Sequence, residues 1–170
     1  IDMSSEYLPG LAGVPATKSN ISSIDGDQGL LAYRGYDIKQ LAKKSTFEET
    51  ALLLLDGCLP SQAELDDFDY QLRSERRLKY KIRSIMKNLP TSGHPMEMLQ
   101  TAVASLGMVY GGEEVLSDGI SGNNIEYIHS MSVKIISRMA TIVAMWEHIR
   151  KGYDPVEPRD DLSHAGNFLY

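Results

Sequence analysis

One unbroken run of apolar residues at steps of three and four constrains the fold of this chain more than any other feature. The run begins at Ile125 and ends at Ile149, and Gly152 follows as a stop signal. Because an α-helix repeats every 3.6 residues, this spacing predicts one continuous helix with an apolar face. At about 1.5 Å per residue the helix would be roughly 40 Å long, enough to cross a domain. The row comprises Ile125, Ile128, Ser132, Ile135, Met139, Ile142, Trp146 and Ile149.

A second apolar row widens the stripe on the same helix. Its members are Val133, Ile136, Ala140 and Val143. Two adjacent rows predict that the helix is covered on two sides, either inside a helical bundle or between subunits. The pattern does not choose between these two arrangements.

Composition and charge narrow the class of protein. Of the 170 residues, 42% are hydrophobic and 24% charged, which is typical of a soluble globular domain. The net charge of -6 argues against nucleic-acid binding, which needs a concentrated basic face. The most apolar segment contains Lys134, Arg138 and Glu147, so no membrane span is expected.

The cysteine content and the first ten residues give information about the cellular compartment of the protein. Cys58 is the single cysteine, which excludes an intrachain disulfide and favours a reducing, cytoplasmic setting. Because Cys58 follows a predicted helix end, we expect its side chain to be a small, buried apolar group. The first ten residues have neither a basic start nor a long apolar run, so no signal peptide is expected.

The chain divides into three predicted regions, and the fold class is mostly α. Residues 1–23 are predicted to be an extended arm interrupted by proline and glycine. Residues 24–38 are predicted to form a β-hairpin that bends at Asp25-Gly26-Asp27. Residues 39–170 are predicted to be helical. A calcium loop at the same aspartates is rejected, because its twelfth position would be Tyr36 rather than a glutamate.

Capping signals locate several helices within residues 39–170. Thr46 with Glu49 and Ser61 with Glu64 form two capping boxes, and a glycine between them should end the first helix. Further helices are predicted before Leu89-Pro90, from Met96 to Gly107, and from Asp160 or Asp161 onward. The apolar row of the second of these helices is predicted to be Met96, Leu99, Val103 and Leu106. The connection containing Gly111, Gly112, Gly119 and Gly122 is predicted to be a loose, flexible loop.

Few residues are candidates for catalysis, ligand binding or metal binding, and no catalytic residue is assigned. No histidine has the spacing of a zinc-hydrolase pair, so no metal site is expected. His94 is interpreted as fixing a helix start, His129 and His148 as ordinary helix positions, and His164 as no part of a triad. Arg34 either braces the hairpin by pairing with an aspartate or faces an anionic ligand.

Six basic residues crowd one short stretch, and several acids neighbour them. We interpret this stretch as a solvated face of mixed charge, with an anion-binding patch as the alternative. The residues are Arg73, Arg76, Arg77, Lys79, Lys81 and Arg83.

Short tags in a specific order reveal a family resemblance along nearly the whole chain. Each tag is weak alone, but their order and spacing together resemble the amino-terminal part of the citrate synthase family. The tags are Leu11-Ala12-Gly13-Val14, Ile21 to Asp37, Phe47-Glu48-Glu49, Leu59-Pro60, His94-Pro95-Met96, Thr101-Ala102-Val103 and Leu162-Ser163-His164-Ala165.

The resemblance implies a mostly helical, homodimeric enzyme that condenses oxaloacetate with acetyl-CoA, without a permanently bound cofactor. In that family an aspartate takes a proton from the acetyl methyl group, while histidines and arginines stabilise charge. The family residues occur in His-Gly-Gly and Asp-Pro-Arg motifs, which this chain lacks. Glu157-Pro158-Arg159 resembles the second motif only superficially, and no role is transferred to it. The chain alone is therefore expected to be inactive.

By the same resemblance, helices 96–107 and 123–151 are expected at the dimer interface, so their apolar faces would be covered by protein outside this chain. Two alternatives to citrate synthase remain open. The closely similar 2-methylcitrate synthases use propionyl-CoA, and a stand-alone helical interaction module would have kept the scaffold without the chemistry.

Overall fold

The structure is a computed structural model that describes residues 13–15, 17–110 and 125–170. Within these ranges the chain forms three short strands and seven helices, which confirms the mostly α prediction with a small N-terminal sheet. Contacts divide the chain into two compact units, Ile1–Ser45 and Thr46–Tyr170. The predicted arm lies largely outside the described residues, and the predicted glycine-rich loop falls entirely within 111–124, also outside them.

The first unit contains an antiparallel sheet in the order β1, β2, β3, followed by one helix. The strands are β1 (Ser22–Asp25), β2 (Leu30–Tyr33) and β3 (Tyr36–Asp37), and the helix is α1 (Ile38–Lys44). The strands therefore begin two residues before the predicted hairpin, and a third strand ends it. The side chain of Asp37 caps α1 by accepting a hydrogen bond from the Lys39 N–H at 2.6 Å.

The two turns of this sheet have different chemistry. In the β1–β2 turn, Asp25 Oδ1 accepts from the Gln28 N–H at 3.0 Å. In the β2–β3 turn, Arg34 and Gly35 have φ values of 49° and 89°. Two positive φ angles in a two-residue connection are what a type I′ turn requires, and Arg34 adopts one of them without being a glycine or asparagine.

The described residues of the second unit form six helices. They are α2 (Phe47–Asp56), α3 (Gln62–Glu75), α4 (Tyr80–Asn88), α5 (Pro95–Tyr110), α6 (Ile125–Arg150) and α7 (His164–Leu169). The predicted caps of α2 and α3 are confirmed: Thr46 Oγ1 accepts from the Glu49 N–H at 3.1 Å, and Ser61 forms a full capping box with Glu64. Gly57, at φ 89°, ends α2 in the left-handed conformation.

The end of α6 has the hydrogen bonds of a Schellman motif. The N–H of Gly152 donates to the Ile149 carbonyl at 3.0 Å, and the N–H of Tyr153 donates to the His148 carbonyl at 2.9 Å. Gly152 has a φ of 77°, which a residue with a Cβ adopts only at a cost. The predicted stop is thus confirmed.

Two buried apolar clusters form the core, and α6 contributes to both. The larger joins α4, α5 and α6 through Leu78, Ile82, Met86, Met98, Ala102, Leu106, Ile142, Met145 and Trp146. The smaller joins α2, α3 and α6 through Leu52, Phe68, Leu72 and Val133. Because α6 contributes to both clusters, it connects the helices of the second unit.

The burial of α6 differs between its two ends. Ile142 and Trp146, in the first predicted row, are buried by this chain's own residues. Ile125 and Ile128, in the same row, are 78% and 51% exposed. The helix is therefore covered on one side, along a face that includes Val133, Ser137, Arg138, Thr141, Ile142, Met145 and Trp146. Among the residues that the structure describes, α6 is not buried on two sides.

Three local predictions are wrong. Neither Asp160 nor Asp161 begins the last helix; Ser163 is its N-cap, because Asp161 is paired with Arg159 instead. Cys58 is exposed, since Gly57 turns the backbone away from the inner face of α2. On α5 the buried row is Met98, Ala102 and Leu106, whereas Met96 is exposed.

Candidate functional site

Arginine side chains of α3 and its C-terminal cap hold the segment 157–164 against the helical unit. Arg76 is only 1% exposed, and its Nη1 donates to the carbonyls of Arg159 at 2.6 Å and Leu162 at 3.0 Å. Burial lowers the pKa of Arg76, because a guanidinium loses hydration inside the protein. Arg73 Nη1 donates to the Asp160 carbonyl at 3.1 Å.

Two ion pairs extend this contact. Arg77 Nη2 lies 3.0 Å from Asp160 Oδ2, and Arg83 pairs with Glu157. The basic stretch is therefore not simply a solvated face: Arg76 is buried, and three of its neighbours contact a segment about 80 residues away in sequence. We call the residues 157–164 with these arginines the arginine clamp.

Glu48 and Phe47 of α2 complete the clamp at its far end. Glu48 is buried, and its Oε1 accepts from the backbone N–H of His164 at 3.0 Å. The ring of His164 stacks on Phe47 with a centroid distance of 4.6 Å and an interplanar angle of 6°. Burial lowers the pKa of His164, an effect that Glu48 opposes and Arg76 reinforces.

Arg159 organises the residues around α7. Its guanidinium forms a bidentate contact with Asp161, at 2.9 Å and 2.6 Å, and lies 5.3 Å from the ring centroid of Tyr170. The Arg159 hydrogen bond lowers the pKa of Asp161. Asn167 Oδ1 accepts from the Arg159 N–H at 2.8 Å. These contacts hold Arg159 to Asp161, Asn167 and Tyr170.

The remaining histidines also have structural partners. His94 Nδ1 accepts from the Met96 N–H at 3.2 Å, which confirms its role at the start of α5. His129 Nε2 lies 3.1 Å from Asp56 Oδ1, joining α6 to the end of α2. His148 Nδ1 lies 3.1 Å from the Asp154 carbonyl oxygen. Ser163 caps α7, so it forms no triad with His164.

Tyr110, at the end of α5, is bound between two cations. Lys79 Nζ lies 4.4 Å and Arg138 Cζ 3.7 Å from its ring centroid. Its hydroxyl accepts from the Lys79 N–H at 2.8 Å. Arg138, which is buried on α6, also pairs with Glu75 of α3. This group ties three helices together through cation–π contacts and one ion pair.

The described ranges contain no arrangement typical of a reaction centre. Within them, no group of three or more His, Cys, Asp or Glu side chains is placed to hold a metal ion. Nor is any of their helices long and apolar enough to cross a membrane. The buried charges described above bind backbone groups or one another, so the geometry positions polypeptide.

Comparison with known proteins decides the family. The family model described as citrate synthase, C-terminal domain, matches residues 10–170. The chain belongs to the citrate synthase family. The position of this chain at the amino-terminal end of the longer family members stays a prediction.

Individual members of the citrate synthase family agree with this assignment. A citrate synthase from Acidithiobacillus ferridurans is 58% identical over 164 residues, which are 96% of this chain and 42% of the relative. The crystal structure of citrate synthase from Pyrobaculum aerophilum matches with a TM-score of 0.86 and 38% identity, over 95% of this chain and 40% of that one. A 2-methylcitrate synthase from Mycobacterium tuberculosis is 34% identical over all 170 residues and 41% of its own length. This member of the family thus spans about two fifths of its relatives.

Sequence reasoning missed the two buried charges of the clamp, Arg76 and Glu48. A signal was present in the spacing: Arg76 follows Phe68 and Leu72 at steps of four, and Glu48 precedes Leu52 by four. Each charge therefore shares a helix face with buried apolar residues. The helix face does not, however, indicate which distant segment supplies the hydrogen-bonding partners.

Proposed function

We propose that this chain is the amino-terminal portion of a citrate synthase, a transferase that condenses acetyl-CoA with oxaloacetate to give citrate and CoA. The observation that carries the proposal is the 58% identity to the Acidithiobacillus ferridurans citrate synthase. The 2-methylcitrate synthase is 34% identical, so citrate synthase is preferred as the activity. The catalytic groups lie outside this chain in our proposal, and acetyl-CoA is a co-substrate rather than a resident cofactor.

The test of this proposal uses the full-length protein that the coding sequence specifies. An open frame that continues past Tyr170 into His-Gly-Gly and Asp-Pro-Arg motifs is expected. Release of the CoA thiol with oxaloacetate should be faster from acetyl-CoA than from propionyl-CoA. A stop codon after Tyr170 would favour the interaction module, and a strong propionyl preference would favour the 2-methylcitrate synthase.

The 170-residue chain by itself should be inactive. Its described charges hold backbone and side chains in place, and the family motifs for proton transfer are absent from its sequence. Purified chain mixed with acetyl-CoA and oxaloacetate should therefore release no thiol above the uncatalysed rate. Condensation by the chain alone would contradict this proposal.

We further propose that the full-length protein is a cytoplasmic homodimer that binds small molecules, not nucleic acid or membranes, and that α5 and α6 form its interface. The predicted ranges were 96–107 and 123–151, of which residues 123 and 124 lie outside the described chain. Support comes from exposed apolar side chains on both helices: Met96, Met108, Ile125, Ile128 and Ile135. Apolar side chains that form a contiguous exposed patch mark an interaction site.

Sedimentation of the full-length protein tests the interface. Ile128→Asp is expected to shift the protein toward monomer, because a carboxylate would be buried without a partner. Tyr70→Asp, at an exposed position on α3, is the matched control and should leave the dimer intact. An unchanged dimer in Ile128→Asp would place the interface elsewhere.

A further inference from the structure

We propose that the arginine clamp contains a buried water site, at which water bridges the unpaired edge of the Arg76 guanidinium to the carboxylate of Glu48. Arg76 Nη1 donates to the carbonyls of Arg159 at 2.6 Å and Leu162 at 3.0 Å. Its Nε and Nη2 atoms are buried and have no hydrogen-bonding partner among the described residues. A guanidinium has five N–H donors, and these two atoms carry three of them.

The two unpaired atoms of Arg76 lie on the same edge of its guanidinium. Nη2 is the terminal nitrogen beside the Nε–H, so one of its N–H bonds runs parallel to the Nε–H bond. This pair is the fork with which arginine binds two acceptors, or one shared acceptor, at a fixed geometry. A buried donor without an acceptor loses its hydration uncompensated, and the loss is larger for a charged group. An acceptor on this edge is therefore strongly favoured.

The aspartates near Arg76 are engaged elsewhere. Burial lowers the pKa of Arg76, and the nearby carboxylates of Asp160, Asp69 and Glu48 oppose that change. Asp69 pairs with Arg73 at 2.7 Å, and Asp160 pairs with Arg77 at 3.0 Å. These four side chains are partly exposed, whereas the free edge of Arg76 is closed to solvent. Neither aspartate supplies the missing acceptor.

Glu48 is the carboxylate that a bridge can reach. Glu48 is 9% exposed, and its Oε1 accepts from the His164 N–H at 3.0 Å. Arg76 binds the carbonyl of Leu162, two residues earlier. The two buried charges therefore hold the same three-residue segment, yet they form no direct ion pair. A carboxylate has about four lone-pair sites, so Glu48 has capacity for a further donor.

Water suits this site better than the two competing occupants. Arg76 is 1% exposed within this chain, so a side chain from outside has no open path to its free edge. A halide also accepts from such a fork, but the carboxylate of Glu48 would repel it. Water accepts from Arg76 and donates to Glu48, and buried waters usually make about three hydrogen bonds to otherwise unsatisfied groups. The bridge would join α2 to α3 without direct contact between the two charges.

A high-resolution crystal structure of the protein that the coding sequence specifies tests the proposal directly. We expect a density peak about 2.7–3.2 Å from both Nε and Nη2 of Arg76, hydrogen-bonded to the Glu48 carboxylate directly or through a second water. A parallel crystal soaked in bromide should show no anomalous peak at this position. An edge without density, a bromide peak, or a side chain in place of the water would each overturn the proposal.

Magnetic relaxation dispersion of the water nuclei tests the site in solution, because it counts long-lived internal waters. Arg76→Lys keeps the positive charge and removes the fork, so it is expected to lose at least one such water. Arg73→Lys is the matched control on the same helix, where the native side chain is 27% exposed, and should keep the count. An unchanged count in Arg76→Lys, or equal losses in both variants, would contradict the bridge. If circular dichroism shows that Arg76→Lys does not fold, the wild-type crystal decides.

Discussion

At the scale of single residues, backbone conformation and burial explain more of this chain than reactive chemistry does. Arg34 occupies a left-handed position that usually belongs to asparagine or glycine. Arg76 and Glu48 are charges inside the protein, and each has backbone groups as partners. Such partners reduce the cost of burying a charge, although the Nε and Nη2 groups of Arg76 are buried without a hydrogen-bond partner.

Gly35 should be intolerant of a side chain for backbone reasons alone. Gly35→Ala is expected to destabilise the first unit by about 1 kcal/mol or more, because φ is 89° although no atom lies within 4 Å of the new Cβ. Gly26→Ala is the matched control, with an equally open Cβ and no positive φ, and should change stability little. Hydrogen exchange of the strand amides measures both variants. Equal losses in the two would refute the backbone explanation.

His164 should make stability depend on pH. Its pKa is lowered from the usual 6.5 in the folded chain, so the unfolded chain binds the proton more readily. The stabilisation is fully present above about pH 6.5 and is lost as the pH falls through the window between 6.5 and the lower folded value. Urea unfolding at pH 7.5 and pH 5.5 tests this.

The variant His164→Phe isolates the contribution of His164, because it keeps an aromatic ring against Phe47 and removes the titration. Acid should destabilise the wild-type chain more than this variant. Parallel losses in the two chains would show that other groups cause the pH dependence.

At the scale of elements, local signals were sufficient for most helix ends and insufficient for helix faces. Thr46, Ser61 and Gly152 act within one turn of the backbone, so the sequence alone predicts them correctly. Asp161 failed as a cap because Arg159, two residues away, holds its carboxylate. The uncovered faces of α5 and α6 depend on which neighbours are present, and periodicity contains no information about that.

Glu48 is expected to hold α7 in place through one hydrogen bond. Glu48→Ala leaves the partly buried His164 N–H without its acceptor and should weaken the docking of residues 163–170 by about 1–3 kcal/mol. Glu48→Gln keeps an acceptor oxygen and should restore most of that loss. The exchange rate of the His164 amide measures the docking directly. Similar rates in the alanine variant and the wild type would show that the clamp does not depend on Glu48.

At the scale of the whole molecule, mostly helical architecture and family could be predicted, while the arginine clamp and the partial burial of α6 could not. The clamp joins residues about 80 positions apart, such as Arg76 and Arg159, and a run of basic residues gives no sign of a distant backbone partner. The family tags were informative because their order and spacing together, unlike any single tag, are specific. They do not state how much of the fold one chain contains.

The two ends of the first apolar row on α6 provide the last prediction. Ile142 is completely buried by this chain, so Ile142→Ala should reduce its free energy of unfolding by about 2–5 kcal/mol. Ile128 is 51% exposed, and Ile128→Ala should cost less than about 1 kcal/mol in the same chain. Urea unfolding compares the two. In the full-length dimer the cost at Ile128 should rise, because the partner would then bury it. Equal costs at both positions in the isolated chain would mean that α6 is already covered along its whole length.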